Sequence, residues 1–241
     1  MRCLDPAALA TPIAAVEAVR RTVAGALIAV CTSLDNALHA AGRGETVRSG
    51  KDAVSVPEAA EALRRAQVFM SDVSGPPESE DEQRRLTSTL HALEHASRLA
   101  EAAGEKAEFT ALNGGPDDVR ASRLCADAMQ SAVVAAREVA APNVGDDHVT
   151  PTEARPVARE LPGVETFDPP AASTEEALLR LEHCAKTLDE LQRAHRSATL
   201  SAVAGGALTG GEAMARVDAV RRLRAFTHHA WRSAAHLVGR A

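Results

Sequence analysis

Apolar residues recur along this chain in steps of three, four and seven, and most of them are alanine, leucine or valine. After Thr11-Pro12 they fall at Val16, Val23, Leu27, Val30, Leu34 and Leu38. At 3.6 residues per turn that spacing places all six on one side of a helix, whereas a half-buried strand would need strict alternation. The composition points the same way. Aromatic residues make up 2% of the chain, with four Phe, one Trp and no Tyr, and sheets are built preferentially from aromatic and β-branched residues. Alanine is the best helix former, and its small side chain lets neighbouring helices approach closely. The expected fold class is all-α, an antiparallel bundle of about six helices.

Punctuation by proline, glycine and capping residues places helices over about 11–41, 57–73, 78–111, 117–140, 174–204 and 210–238. Thr11 precedes Pro12 as an N-cap precedes the first helical residue, and Gly42 and Gly44 close that helix. Ser173 with Glu176, and Thr209 with Glu212, read as two capping boxes. The third helix is expected to bury Leu86, Leu90, Leu93, Ala96 and Ala100. The fourth should bury Leu124, Ala128, Ala132, Ala135 and Val139. The inward stripe of the fifth is Leu178, Leu181, Leu188, Leu191 and Ala198, and that of the sixth Val217, Val220, Leu223, Ala230, Trp231, Ala234 and Leu237.

Two segments interrupt the pattern. Gly42 to Val56 is rich in Gly, Ser and charge, and Ala141 to Ala172 carries Pro142, Pro151, Pro156, Pro162, Pro169 and Pro170 among acids. Without periodicity such a stretch buries little surface. The chain thus divides into a first helical part over 1–140, a Pro-rich acidic linker or mobile loop over 141–172, and a C-terminal helical hairpin over 173–241 that returns onto the first part.

The charges follow the helices. An acid stands four residues before a base at Glu17/Arg21, Glu61/Arg65, Glu80/Arg84, Glu94/Arg98, Glu176/Arg180, Glu182/Lys186, Asp189/Arg193, Glu212/Arg216 and Asp218/Arg222. This orientation favours helix-surface ion pairs, so these carboxylates are expected to be scaffolding. A net charge of −6 and a pI near 5.9 argue against nucleic-acid binding, which needs a basic surface. Cys3, Cys31, Cys125 and Cys184 are scattered singly, without a CxxC pair, and read as free thiols of a reducing compartment. No run reaches the roughly 18 apolar residues of a membrane span, and the opening residues lack the apolar core and cleavage site of a secretory leader. The expected location is cytoplasmic.

Few motifs carry chemistry. His91-Ala92-Leu93-Glu94-His95 fits the HxxEH pattern of inverted zinc metallopeptidases, in which two imidazoles one helical turn apart hold zinc and the glutamate activates water. That class also needs a further acidic ligand and a mixed α/β body, for which no strands are expected. On the last helix Arg222, His229 and His236 repeat at seven-residue spacing, with Arg232 and Arg240 nearby. Such a stripe suits either plain solvation or contact with anionic lipid headgroups or an acidic partner. His195 falls on the inward stripe and reads as a core histidine with a hydrogen-bond partner. There is no GxSxG elbow, no cysteine in a catalytic order with His and Asn, and no phosphate-cradling loop. The residues specify no catalytic, cofactor-binding or metal-binding set, and the chain is expected not to be an enzyme.

Two segments resemble a known family. Leu4-Asp5-Pro6-Ala7-Ala8-Leu9-Ala10-Thr11-Pro12 resembles the stretch that follows the membrane part of bacterial sodium/phosphate cotransporter family proteins. Ala215-Arg216-Val217-Asp218-Ala219-Val220-Arg221-Arg222-Leu223, continuing through His229-Ala230-Trp231-Arg232, is similar to the end of the PhoU-like helical domain of that family. His91 to His95 stands in the place of that domain's third helix. The resemblance implies a PhoU-like antiparallel bundle built of three-helix units, at the inner face of the cell membrane, which regulates phosphate transport or signals phosphate status. Its implied partners are a membrane-embedded transporter part or a phosphate-signalling protein, with a homodimer also open, and no cofactor. The alternatives are a stand-alone phosphate-signalling adaptor and, from the enzyme class, a zinc-dependent hydrolase using His91, Glu94 and His95. PhoU-like proteins often hold metal clusters through an acid followed four residues later by Asp. This sequence has no such pair; Glu94 meets Arg98 and Asp218 meets Arg222 at the corresponding spacing, so no metal ligand carries over.

Overall fold

In the computed structural model, which describes residues 4–43, 54–73, 75, 77–105, 115–141 and 173–240, the described residues form helices and no strand. A short 3-10 turn over Pro6–Ala10 leads into α1 (Pro12–Arg43), followed by α2 (Val56–Ser71), α3 (Glu80–Gly104), α4 (Pro116–Ala140), α5 (Thr174–Ala204) and α6 (Gly210–Val238). The expected all-α bundle is the observed one. The Pro-rich stretch 142–172, residues 44–53, the expected continuation of α3 over 106–111 and Cys3 lie outside the described residues.

Local chemistry sets the helix starts. Ser173 and Thr209 form the two expected capping boxes with Glu176 and Glu212, and Ser55 with Glu58 forms a third that opens α2. Ser79 caps α3 by accepting from the Glu82 N–H. The reciprocal bonds satisfy N–H groups that a helix start leaves without intrahelical partners. At the other end of α6, Gly239 takes a left-handed φ of 78°, a conformation that costs glycine little because it has no Cβ.

The helices pack as two groups of three. α1, α2 and α3 touch one another, as do α4, α5 and α6, and the groups join along α1 against α4 and α3 against α6. Paired side chains show which neighbours run antiparallel. Asp189 meets Arg224 while Glu175 meets Arg240 across α5 and α6; His95 meets His229 while Glu105 meets Arg222 across α3 and α6. One continuous apolar core runs through all six helices. α4 touches α1, α5 and α6, and Ala121, Ala128, Ala132, Ala135 and Ala136 on it are fully buried. Small residues let one helix serve three close neighbours. The larger apolar contribution comes from Leu27, Leu63, Leu99, Leu181, Leu188, Leu223 and Phe226, all fully buried, each worth about 1.5 to 3 kcal/mol relative to exposure.

Some stripe positions are corrected. Leu90, expected inward, is 45% exposed, and Thr89, Ala92, Leu93, Ala96, Leu99 and Ala100 make the buried side of α3. Ala198 on α5 is exposed, and Thr199 takes the inward place. Leu124, Val139, Val217 and Trp231 are only partly buried.

The ion pairs Glu17/Arg21, Glu61/Arg65, Glu94/Arg98, Glu182/Lys186 and Asp189/Arg193 form as expected. In two further expected pairs, Glu80/Arg84 and Asp218/Arg222, other partners are taken: Asp81 holds Arg84, Asp218 pairs with Arg221, and Glu105 at the C-cap of α3 faces Arg222 at 3.4 Å. Glu176 and Glu212 turn back to their caps.

Candidate functional site

The seam between α3 and α6 gathers five of the chain's nine histidines. Its register is held by a buried bond in which Ser233 Oγ donates to the Ala92 carbonyl at 3.0 Å. Around that point His91 and His95 stand one turn apart on α3, opposite His228, His229 and His236 on α6. Nδ1 of His95 lies 3.1 Å from Nδ1 of His229, so one ring donates its N–H and the other accepts. The rings of His91 and His236 stack with centroids 5.0 Å apart, and that of His236 lies nearly parallel to His95 at 6.0 Å. His228 contacts His95, His229 and Trp231 edge-on or nearly so.

Cations frame the rings. Arg232 lies over the Trp231 ring at 5.6 Å and donates to Nε2 of His236 at 3.3 Å. Because arginine only donates, that Nε2 is an acceptor and the remaining proton of the neutral ring sits on Nδ1. Burial, then the neighbouring histidines and Arg232, push His95 down to about 4. Burial, His228, Arg98 and Arg224 bring His229 to about 4 as well. His228 and His236 are also lowered, chiefly by burial and then by arginines. Desolvation and like charge both disfavour imidazolium, so His95, His228, His229 and His236 are held toward their uncharged forms.

The carboxylates nearby are engaged. Glu94 bonds Arg98 at 2.7 Å and approaches His91 only to 3.8 Å. Asp189 is held by Arg224 and Arg193, which keep its carboxyl below the ordinary range. His91, Glu94 and His95 are therefore not arranged as a ligand triad: His95 turns across to α6, His91 lies against His236, and Glu94 is taken by Arg98. Among the described residues no three His, Cys, Asp or Glu side chains surround one point at ligating geometry.

The stripe of Arg222, His229 and His236 faces α3. His236 is 8% exposed, His229 meets His95, and Arg222 faces Glu105, so none of the three projects from a bare helix surface. Sequence spacing had shown that the three share a face, but not which face α3 covers. His195 is a buried histidine with a partner, as expected. Its Nε2 lies 2.8 Å from Oδ1 of Asp118, with the two residues 6% and 2% exposed. Asp118, in the first turn of α4, had carried no signal of its own, and a carboxylate there is also favoured by the helix dipole. Cys31, Cys125 and Cys184 are buried free thiols. Burial raises all three, Cys125 to about 12, so they stay protonated and unreactive.

Comparisons with models of known families, with curated proteins and with solved structures found no match. No described helix is long and apolar enough to cross a membrane.

Proposed function

We propose that this chain is a PhoU-like regulatory domain of a sodium-dependent phosphate transporter, which adjusts transport or signals phosphate status through helix-surface contacts. The observation that carries the reading is the pair of resembling segments, Leu4 to Pro12 and Ala215 to Arg232, within one six-helix bundle. The helices that follow and contain them are tied together, since Arg20 on α1 donates to the Leu237 carbonyl of α6 at 2.6 Å. In this reading the chain works at the inner face of the membrane, against a membrane-embedded transporter part or a phosphate-signalling protein, and catalyses nothing itself. The dispersal of His91, Glu94 and His95 onto separate partners supports the non-catalytic role.

The test is made in the native locus. Deleting residues 173–241 removes two helices from the shared core, and labelled phosphate uptake is then followed under phosphate starvation and repletion. Uptake should lose its response to external phosphate. An unchanged rate and an unchanged response would remove the basis for the reading.

A further inference from the structure

We infer that the α3–α6 seam binds one borderline divalent transition-metal cation of the Zn2+ type, nucleated by Nδ1 of His95 and Nδ1 of His229. This does not rest on the transport reading. Its donors are imidazoles that face one another across the two helices, not a set of acids.

Three features carry it. The first is the bite. Two nitrogens bound to one tetrahedral zinc at about 2.0 to 2.1 Å each stand roughly 3.3 Å apart, and these two are 3.1 Å apart in the absence of any ion. The cation sits to one side of the line between the two nitrogens, so both rings turn toward it as they part by a few tenths of an ångström. The ring that had donated from Nδ1 carries its proton on Nε2 instead, so that each binds as a neutral imidazole. The second is rigidity. Both rings stand on long helices whose register the Ser233 to Ala92 bond fixes, so the pair is held together before a ligand arrives.

The third is a supply of further donors. His91 and His236 stack beside the pair, and the His91 side chain is 51% exposed. His91 and His95, at i and i+4, share a helix face and can bind one ion together. A rotation of His91 toward His95 supplies the third nitrogen, and water completes the shell. Imidazole nitrogens without carboxylates select a borderline cation over Mg2+ or Ca2+, which prefer oxygen. Arg98, Arg224 and Arg232 oppose a dication, with Glu94 a partial offset, so the site is weaker than one whose neighbouring charges are carboxylates.

The experiment titrates Zn2+ into the tag-free chain by calorimetry at neutral pH, for the native protein and for His95→Ala, His229→Ala and His183→Ala. The native chain and His183→Ala, altered on exposed α5 away from the seam, should bind one equivalent. The two seam variants should bind at least about tenfold more weakly. In parallel, the histidine ring nitrogens of the native chain are followed by NMR. Zn2+ should move the Nδ1 resonances of His95 and His229, and Mg2+ should not. Absence of one-equivalent binding, affinity unchanged in the seam variants, or Nδ1 resonances that stay still would each overturn the site. If either variant fails to fold, the native-chain NMR decides alone.

Discussion

His95 and His229 are held in a place that disfavours their charged forms, and this gives the metal-free protein a defined response to acid. Unfolded, each ring takes up a proton near the ordinary value of about 6.5; folded, each resists protonation down to about 4. Between these values the unfolded chain binds more protons, so stability falls as pH drops, and above about 6.5 the contribution is fully present. In chelator-containing buffer the urea midpoint should fall between pH 6.5 and pH 4, and fall less steeply in the double variant His95→Gln/His229→Gln. Equal slopes in the two proteins would show that the seam histidines do not govern it. At the same scale, spacing marked His195 as a core residue, but its partner lay 77 positions away in Asp118, and no local pattern encodes such a distance.

Along α3, the difference between two leucines one turn apart tests how the helix is seated. Leu93 is 3% exposed and Leu90 is 45% exposed. Leu93→Ala should cost about 2 to 5 kcal/mol of unfolding free energy by leaving a cavity, whereas Leu90→Ala should change it by less than about 0.5 kcal/mol. Denaturant titration of both variants checks this, and equal losses would contradict the orientation of α3. The helix itself was legible from Leu86, Leu90 and Leu93. Its rotation was not, because α3 must face α1, α2 and α6 at once, and that demand moves the buried side toward Ala92, Ala96 and Leu99. The capping boxes at Ser173 and Thr209 were readable because every atom they use lies within four residues.

At the scale of the molecule, α4 and Phe226 bind the two groups of helices into a common core, so the bundle should lose its structure in one step. Trp231, the only tryptophan, reports on the α3–α6 seam, while far-ultraviolet circular dichroism reports on all six helices. In urea the two signals should give coincident transitions. A helical transition that precedes or follows the tryptophan change would mean that the two groups unfold separately.

The period of the apolar residues, the caps and the scarcity of aromatics were enough, by themselves, to determine that this chain is helical, nearly where its helices start, and that leucine, valine and alanine fill its core. Those features act within a turn or two, where backbone geometry translates spacing directly into position. The rest belonged to the tertiary structure: that α3 lies along α6, that Arg222, His229 and His236 turn toward it, that Glu105 takes Arg222 from Asp218, and that five imidazoles share one seam. Such contacts join residues more than a hundred positions apart, and they depend on how each helix is rotated about its axis, a choice made only when all six compete for the same core.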